Sequence, residues 1–190
     1  MGGTADTNGR VLVVCTGNIC RSPFIERVMA AQLGDVNIQL SSAGTDALVG
    51  SGMDPEALRQ LEKLGVDGEG HTAQQLTAEM IDTADLILTA TRRHRGEVAV
   101  LNAKALTSAF AFRDFADLVG VGPTSTGESP GHQPLVSVVA TIAARRGSVP
   151  PRNVKDVDIV DPYRQETSVF DKMVGEIMSA VPRVVRALRQ

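Results

Sequence analysis

Residues 10–24 read RVLVVCTGNICRSPF, an apolar run followed by a short polar segment and a helix start. The β-branched run VLVV (11–14) predicts a strand that is buried on both faces of a parallel sheet. Ser22 and Pro23 predict that a helix begins next, with Ser22 as its cap and Pro23 as its first residue. A strand, a tight loop and a helix in direct succession place the loop N–H groups at a helix N-terminus, which attracts an anion.

The residues of this loop suit a phosphate and a nucleophile. Gly17 and Asn18 tolerate the left-handed backbone that converging N–H groups require. Arg21 supplies a planar, permanently charged guanidinium that matches a tetrahedral oxyanion. Cys15 ends the strand and faces the same groups, whose field favours the thiolate. A thiolate held against a bound phosphate is a nucleophile in position.

Two other interpretations of the cysteines stand beside this one. Cys15 and Cys20 could be small buried apolar residues, or they could form half of a metal site. Zinc would need more ligands, and the histidines of the chain, His71, His94 and His132, have no paired spacing. Cysteine, five residues, arginine and serine between a strand and a helix favour the catalytic interpretation, and no metal site is expected.

Strand and helix patterns alternate along the remaining chain. Further strands are predicted at residues 36–44, 84–91 and 105–110. Further helices are predicted after Asp54-Pro55 up to Gly65, from Thr77, over 92–106, over 135–146 and from Gln165 onward. Pro182 is expected to kink or divide the last helix. The alternation predicts an α/β fold, an open parallel sheet with helices on both faces.

Length and composition narrow the class of protein. The 190 residues fit a disordered tail at 1–9 and a single domain over 10–190, with an insertion at about 116–155. A net charge of −3 gives no basic surplus for nucleic acid, and no apolar run is long enough to span a membrane. Two cysteines make no disulfide framework, and the start MGGTADTNG has no signal-peptide pattern. We therefore expect a cytoplasmic protein.

Five segments carry a resemblance to a known family: CTGNICRS (15–22), SAGTDALVG (42–50), GHTAQQLT (70–77), ADLILTAT (84–91) and DPYRQ (161–165). In this order they resemble the low-molecular-weight protein-tyrosine phosphatases, most of all the bacterial subgroup that dephosphorylates tyrosine autokinases of capsule and exopolysaccharide export. The resemblance implies a four-stranded parallel sheet and hydrolysis of phosphotyrosine in proteins through a phosphocysteine, with no metal ion or cofactor. It also implies a tyrosine-phosphorylated partner, with such an autokinase as the candidate, and inhibition by phosphate-like anions.

The resemblance assigns the chemistry to three residues. Cys15 would be the nucleophile, and Arg21 would clamp the equatorial oxygens of the phosphate. Asp161 would be the general acid that protonates the leaving group. Asp156 and Asp158 lie close to it in sequence, but Asp161 is preferred because Pro162 stiffens the backbone around it and because Asp-Pro-Tyr matches the family.

Other residues would build and border the phosphate site. The cradle would be formed by the backbone of Thr16, Gly17, Asn18, Ile19, Cys20 and Arg21. Ser22 would donate its hydroxyl to the nucleophile, and Asn18 and His71 would brace the loop. Leu48 and Tyr163 would border the substrate cleft.

Some questions stay open from the sequence. Members of the family often use a cysteine at the position of Cys20 to capture an oxidised nucleophile as a reversible disulfide, whereas the alternative is a small side chain that packs beneath the loop. Arsenate reductases share the scaffold, and because no cysteine follows Cys20 only a type coupled to an external small thiol is compatible. A non-catalytic phosphate-binding module is disfavoured because nucleophile, clamp, supporting serine and acid are all present.

Overall fold

Four strands form one parallel sheet in the computed structural model, which describes residues 9–122, 133–150 and 152–189. The strands are β1 (Gly9–Cys15), β2 (Ile38–Gly44), β3 (Leu86–Thr89) and β4 (Ala109–Ala111). Their order across the sheet is β2-β1-β3-β4, and each neighbouring pair is parallel. β1 is flanked on both sides, with Val11 beside Leu40 of β2 and Leu86 of β3.

Helices cover both faces of the sheet. In the described part of the chain they are α1 (Arg21–Leu33), α2 (Pro55–Lys63), α3 (Ala78–Thr83), α4 (Arg92–Leu101), α5 (Phe112–Gly120), α6 (Leu135–Ala143), α7 (Val154–Val157) and α8 (Thr167–Leu188). Alternate residues of a strand point to opposite faces. Val11 and Val13 pack with α1, α5 and α8, whereas Leu12 and Val14 pack with residues of α3 and α4. The predicted fold class is therefore confirmed.

The helix α1 begins two residues earlier than predicted. Cys20 occupies the cap position without a side-chain hydrogen bond, and Pro23 is the third helical residue, still within the first turn where proline is tolerated. The Ser22 hydroxyl lies 3.0 Å from Cys15 Sγ and accepts a hydrogen bond from Asn18. The prediction of Ser22 as the helix cap is wrong because its hydroxyl is engaged by the loop.

The helix predicted over 92–106 ends earlier, at Leu101. The side chain of Asn102 accepts a hydrogen bond from the N–H of Lys104, and a short 3₁₀ turn, Ala103–Leu106, replaces the last helical turn. Asparagine side chains compete with helical hydrogen bonds in this way.

The strand predicted over 105–110 is shorter and later, at Ala109–Ala111, and α5 follows it directly. Sequence analysis did not predict α5. Its buried Phe112 and Phe115 lie three residues apart, as helical spacing requires, and the helix packs against α8. The apolar residues of this stretch have a helical period, so the sequence carried a signal for α5 that the prediction did not use.

The helix α8 is continuous from Thr167 to Leu188, with Pro182 inside it. Of the two effects predicted for Pro182, a kink or a division, the division does not occur. Pro182 lies on the exposed side, where water can satisfy the carbonyl that loses its partner N–H.

None of the described helices is long and apolar enough to span a membrane.

At its N-terminal end the predicted domain begins one residue earlier than expected. Gly9, assigned to the tail by sequence, is the first residue of β1, and residues 1–8 lie outside the described residues. A Cβ atom at Gly9 would lie 2.5 Å from Leu135 Cβ, so α6 packs closely against the start of β1. The absence of a side chain at Gly9 makes this contact possible.

The segment 116–155 contributes to the core. The inward side of α6 is fully apolar and buried at Leu135, Val138, Val139 and Ile142. The loop predicted at 120–134 falls mostly on residues 123–132, which lie outside the described residues, as does His132. The predicted helix at 135–146 is confirmed over Leu135–Ala143.

Candidate active site

The loop of residues 16–20 connects β1 to α1, and the carbonyl groups of residues 15–19 turn outward. Four of them accept backbone hydrogen bonds of 2.9 to 3.1 Å from the segment after β2: Cys15 from Thr45, Thr16 from Asp46, Gly17 from Leu48, and Ile19 from Asp54. The fifth, of Asn18, lies 2.7 Å from His71 Nε2.

The N–H groups of this loop point the other way. In a trans peptide the N–H of one residue points opposite to the carbonyl of the residue before it. With the carbonyls of 15–19 facing outward, the N–H groups of 16–20 face the inside of the loop. Within the described chain none of these N–H groups has a hydrogen-bond partner. The loop therefore presents unpaired donors toward one point, which is the requirement for an anion site.

The side chain of Asn18 fixes this conformation. Its backbone is left-handed, with φ of 56°. Nδ2 donates to Ser22 Oγ and Ser42 Oγ, both at 2.9 Å, and Oδ1 accepts from the Gln74 N–H at 2.9 Å. The fully buried amide thus connects the loop to α1, β2 and the segment that carries His71.

The nucleophile candidate Cys15 is buried and contacts a hydroxyl. Its Sγ lies 3.0 Å from Ser22 Oγ, while the Ala43 carbonyl is 3.5 Å from the same hydroxyl. Because Ser22 Oγ already accepts from Asn18, its own hydrogen is available to the nearer sulfur. A hydroxyl that donates to sulfur stabilises the thiolate form.

Arg21 places its guanidinium in the same cleft as Cys15 and the loop of residues 16–20. The side chain is 5% exposed, and its Nη2 lies 2.5 Å from Asp161 Oδ2 and 3.4 Å from Thr16 Oγ1. Its Nε is buried and has no hydrogen-bond partner among the described residues. Arg21 thus keeps unused donor capacity inside the site.

Asp161 reaches the loop from a segment far along the chain. The N–H of Ile159 donates to the carbonyl of Ala90, just after β3, at 3.0 Å. Asp161 Oδ1 accepts the N–H of Tyr163 at 3.2 Å, and about half of the Asp161 side chain is exposed. The carboxyl group therefore stands at the open edge of the site.

The two neighbouring acids lie elsewhere. Asp158 Oδ1 accepts the N–H of Arg92 at 2.8 Å, which places it at the start of α4. Asp156 is exposed on α7. Of the three acids considered from sequence, only Asp161 borders the loop.

The resulting cleft has a volume of about 150 Å³. It is lined by Cys15, Thr16, Gly17, Ile19, Cys20, Arg21, Asp46, Leu48, Asp161 and Tyr163. Leu48 and Tyr163 are 40% and 37% exposed and form its mouth. Asn18, Ser22 and His71 support the loop from outside the cleft, and Asp46 is a lining residue that sequence analysis did not single out.

Sequence analysis also missed the surroundings of His94. This histidine is fully buried, and its Nε2 lies 2.8 Å from Thr16 Oγ1. Burial, reinforced by Arg21 and Arg93, lowers the pKa of His94 to about 3. A signal was present, because Thr91 ends a predicted buried strand and His94 follows it, and polar residues at the carboxyl ends of neighbouring parallel strands meet at one sheet edge.

Cys20 is buried beneath the loop as a free thiol. Burial raises the pKa of the Cys20 thiol, and the nearby Asp54 raises it further. Cys20 is therefore protonated at neutral pH.

Among the described residues no three His, Cys, Asp or Glu side chains are grouped so as to hold a metal ion.

Comparison with known proteins agrees with this geometry. Residues 10–122 match the family model described as low molecular weight phosphotyrosine protein phosphatase. The probable low molecular weight protein-tyrosine-phosphatase AmsI of Erwinia amylovora is 30% identical over 178 residues, which cover 94% of this chain and 96% of AmsI. The corresponding EpsP of Ralstonia solanacearum is 38% identical over 179 residues, covering 94% and 95% of the two chains.

Solved structures give the same result. The crystal structure of AmsI matches with a TM-score of 0.71 and 28% identity, over 100% of this chain and 99% of that chain. Wzb of Vibrio vulnificus in complex with benzylphosphonate matches with a TM-score of 0.67 and 28% identity, over 94% and 97%. The family and bacterial branch predicted from sequence are confirmed. The chain belongs to the low molecular weight protein-tyrosine phosphatases.

Proposed function

We propose that this phosphatase hydrolyses phosphotyrosine in proteins through a phosphocysteine intermediate on Cys15. The observation that carries the proposal is the inward set of N–H groups of residues 16–20, with Cys15 Sγ and the guanidinium of Arg21 in the same cleft. This arrangement supplies a nucleophile and the donors for a developing phosphoryl charge from the chain itself. No metal ion is needed for either task.

In the first step the Cys15 thiolate attacks phosphorus, so that an S–P bond forms as the P–O bond to tyrosine breaks. The loop N–H groups and Arg21 hold the three equatorial oxygens. Asp161 transfers its proton to the departing phenolate oxygen, and tyrosine leaves as the neutral phenol.

In the second step a water molecule attacks the phosphocysteine. Asp161, now a carboxylate, takes a proton from the water, the S–P bond breaks, and inorganic phosphate is formed. The Ser22 hydroxyl, 3.0 Å from Sγ, stabilises the thiolate as it is released. The enzyme returns to its starting state once phosphate departs and Asp161 regains a proton.

The ion pair between Arg21 and Asp161 is consistent with this cycle. The Asp161 carboxylate occupies one donor of Arg21 at 2.5 Å. An incoming phosphate carries more charge and competes for that donor. Repulsion between phosphate and carboxylate favours a protonated Asp161 in the complex, which is the form that the first step needs.

The cleft supports an aromatic substrate. Leu48 and Tyr163 provide the apolar walls of its mouth, and benzylphosphonate, the ligand of the Vibrio vulnificus relative, combines an aromatic ring with a phosphonate. We infer a tyrosine-phosphorylated protein as substrate, with a bacterial tyrosine autokinase of polysaccharide export as the candidate, and a cytoplasmic location. The relatives reported above are tyrosine phosphatases, so arsenate reduction is not favoured.

The experiment compares the parent with Cys15→Ser on a phosphotyrosyl and a phosphoseryl peptide of the same sequence. The parent is expected to hydrolyse the phosphotyrosyl peptide preferentially. Cys15→Ser should lose turnover and still bind inorganic phosphate, because the loop donors and Arg21 remain. A Cys15→Ser rate within tenfold of the parent would overturn the proposal.

The redox role of Cys20 stays a prediction. A disulfide with Cys15 forms only if Cys20 loses its proton, which its burial opposes. After peroxide treatment, the parent should regain activity with a reductant, whereas Cys20→Ala should not, because Cys15 passes to higher oxidation states. Equal recovery of both proteins would indicate that Cys20 only packs beneath the loop.

A further inference from the structure

His94 is a buried histidine whose two ring nitrogens both contact threonine hydroxyls behind the phosphate loop. Its Nδ1 lies 2.7 Å from Thr91 Oγ1, and its Nε2 lies 2.8 Å from Thr16 Oγ1. Thr91 belongs to the start of α4, whereas Thr16 follows the nucleophile directly and lines the cleft. The imidazole therefore links a helix cap to the catalytic loop.

The hydrogen-bond partners of Thr91 indicate which ring nitrogen of neutral His94 carries the proton. Thr91 Oγ1 caps α4 by accepting the backbone N–H of His94 at 3.2 Å. Its own hydrogen then needs an acceptor, because an unpaired buried hydroxyl is costly, and within the described residues His94 Nδ1 is the acceptor in reach. Nδ1 must accordingly lack a proton, and the neutral ring carries its proton on Nε2.

The Nε2–H tautomer determines what Thr16 can do. The Thr16 hydroxyl oxygen accepts from His94 Nε2 and receives longer contacts from Arg21 Nη2 at 3.4 Å and Arg93 Nη2 at 3.5 Å. Each of these partners is a donor. The hydroxyl hydrogen of Thr16 is therefore left for an acceptor that is not part of the described chain.

We propose that His94 is a positioning residue that holds the Thr16 hydroxyl beside Arg21, so that this hydroxyl donates a hydrogen bond to the phosphate bound in the cleft. The inference rests on the proposed function, since it needs an oxyanion in the loop. It adds a side-chain donor to the backbone donors of the loop, and it assigns a role to a histidine that lies 78 residues away in sequence.

The test measures inhibition by inorganic phosphate and turnover of a phosphotyrosyl peptide in the parent, Thr16→Val and Thr16→Ser. Valine keeps the shape of threonine and removes the hydroxyl. It is expected to weaken phosphate binding roughly tenfold, as for a hydrogen bond to a charged group. Thr16→Ser should bind phosphate more tightly than Thr16→Val. Phosphate binding by Thr16→Val within twofold of the parent would overturn the inference.

Two substitutions of His94 separate positioning from packing. In His94→Gln the terminal amide can place a donor near the position of Nε2, whereas the shorter side chain of His94→Asn cannot reach Thr16. We expect His94→Gln to bind phosphate more tightly than His94→Asn. In a Thr16→Val background, His94→Asn should cause no further loss of phosphate binding. Equal losses in both backgrounds would show that His94 acts through packing alone.

A measurement without turnover checks the tautomer itself. Long-range proton–nitrogen correlation spectra of the parent should show the proton of His94 on Nε2, with the signal identified by its absence in His94→Asn. A proton on Nδ1 would contradict the inference. If the parent neither hydrolyses the peptide nor binds phosphate, the proposed function and this inference fail together; an active parent with an unaffected Thr16→Val removes only the inference.

Discussion

The two segments that form the cleft are held in very different ways. The loop of residues 16–20 is fixed by contacts to the outward carbonyl groups of residues 15–19 and by the buried amide of Asn18. The segment that carries Asp161 is anchored by its neighbours: the Ile159 N–H donates to the Ala90 carbonyl, and the Val160 N–H donates to Glu176 at 2.8 Å. The Asp161 carboxyl group itself is about half exposed. The proposed phosphate donors therefore belong to a loop that is fixed directly, whereas the proposed acid stands at the open edge of the site and is held through the residues before it.

The two segments are suited to different chemical tasks: the loop to stabilising charge and the Asp161 segment to transferring a proton. Charge stabilisation depends on donors that are already oriented before the charge develops, so each loop contact supports it. Proton transfer needs one group in the right protonation state at hydrogen-bond distance, and it is sensitive to the leaving group. Variants in the two segments should accordingly differ in how their effects depend on the substrate.

The largest expected effect that separates the segments is that of Asp161→Asn. Phosphotyrosine hydrolysis should slow by roughly 10²–10⁴-fold, because the phenolate leaves without a proton. An aryl phosphate with a more acidic leaving group should lose much less. The ratio is measured by kcat/KM on both substrates, because this constant covers only the steps up to departure of the leaving group, and the exposed Asp156→Asn is the matched control. If Asp156→Asn gave the leaving-group-dependent loss and Asp161→Asn did not, the acid would be wrongly assigned.

Arg21→Lys, unlike Asp161→Asn, should slow the reaction without depending on the leaving group. A lysine keeps the charge and loses the two-pronged guanidinium, so turnover should fall roughly 10²–10³-fold. Because we propose that Arg21 contacts the phosphoryl group and not the leaving group, the loss should be similar for both substrates. Near-normal rates in Arg21→Lys would remove Arg21 from the site.

Asn18→Ala tests how firmly the loop is built. Alanine leaves Ser42 and Gln74 without their partner and places a Cβ-bearing residue at φ of 56°, so the free energy of unfolding should fall by about 2–4 kcal/mol. Asn18→Gly is the matched variant, since glycine tolerates this backbone and still lacks the amide. Urea unfolding should place Asn18→Gly between alanine and the parent. Full recovery by glycine would mean that the amide contacts contribute little.

The smallest effect concerns pH and His94. Its pKa is about 3 in the folded protein and near 6.5 in an unfolded chain, so between these values the unfolded state binds more protons. Stability should therefore rise with pH across this window, with a contribution from His94 of about 2 kcal/mol between pH 5 and pH 7. Urea unfolding of the parent and of His94→Gln at both pH values measures the difference. The same pH dependence in both proteins would contradict this account of His94.

The sequence was most informative where the site is local. Cys15, Arg21 and Ser22 lie within eight residues, so a strand–loop–helix pattern was enough to predict an anion site around them. The prediction of Asp161 as the acid depended mainly on the resemblance, because the one local feature that separates it from Asp156 is the proline that follows it. Its place at the cleft results from the contact between its segment and the end of β3.

Contacts across the fold were not predictable in the same way. His94 reaches Thr16 because α4 starts beside the loop after β1, which depends on the order of the strands. The prediction that Ser22 caps the helix was wrong for a related reason. Its hydroxyl contacts Cys15 and Asn18 and does not bind an N–H group of the helix. Local patterns give the type of element, but the partner of a polar side chain depends on the tertiary arrangement.

The most direct test of the central claim is to locate the phosphoryl group during turnover. Asp161→Asn, which the account expects to form the intermediate and to hydrolyse it slowly, is mixed with an aryl phosphate that has an acidic leaving group. The reaction is then quenched, and the peptides are analysed by mass spectrometry. We expect phosphate on the sulfur of Cys15 and none in the same experiment with Cys15→Ser. Phosphate on any other residue, or turnover with no phosphorylated Cys15, would contradict it.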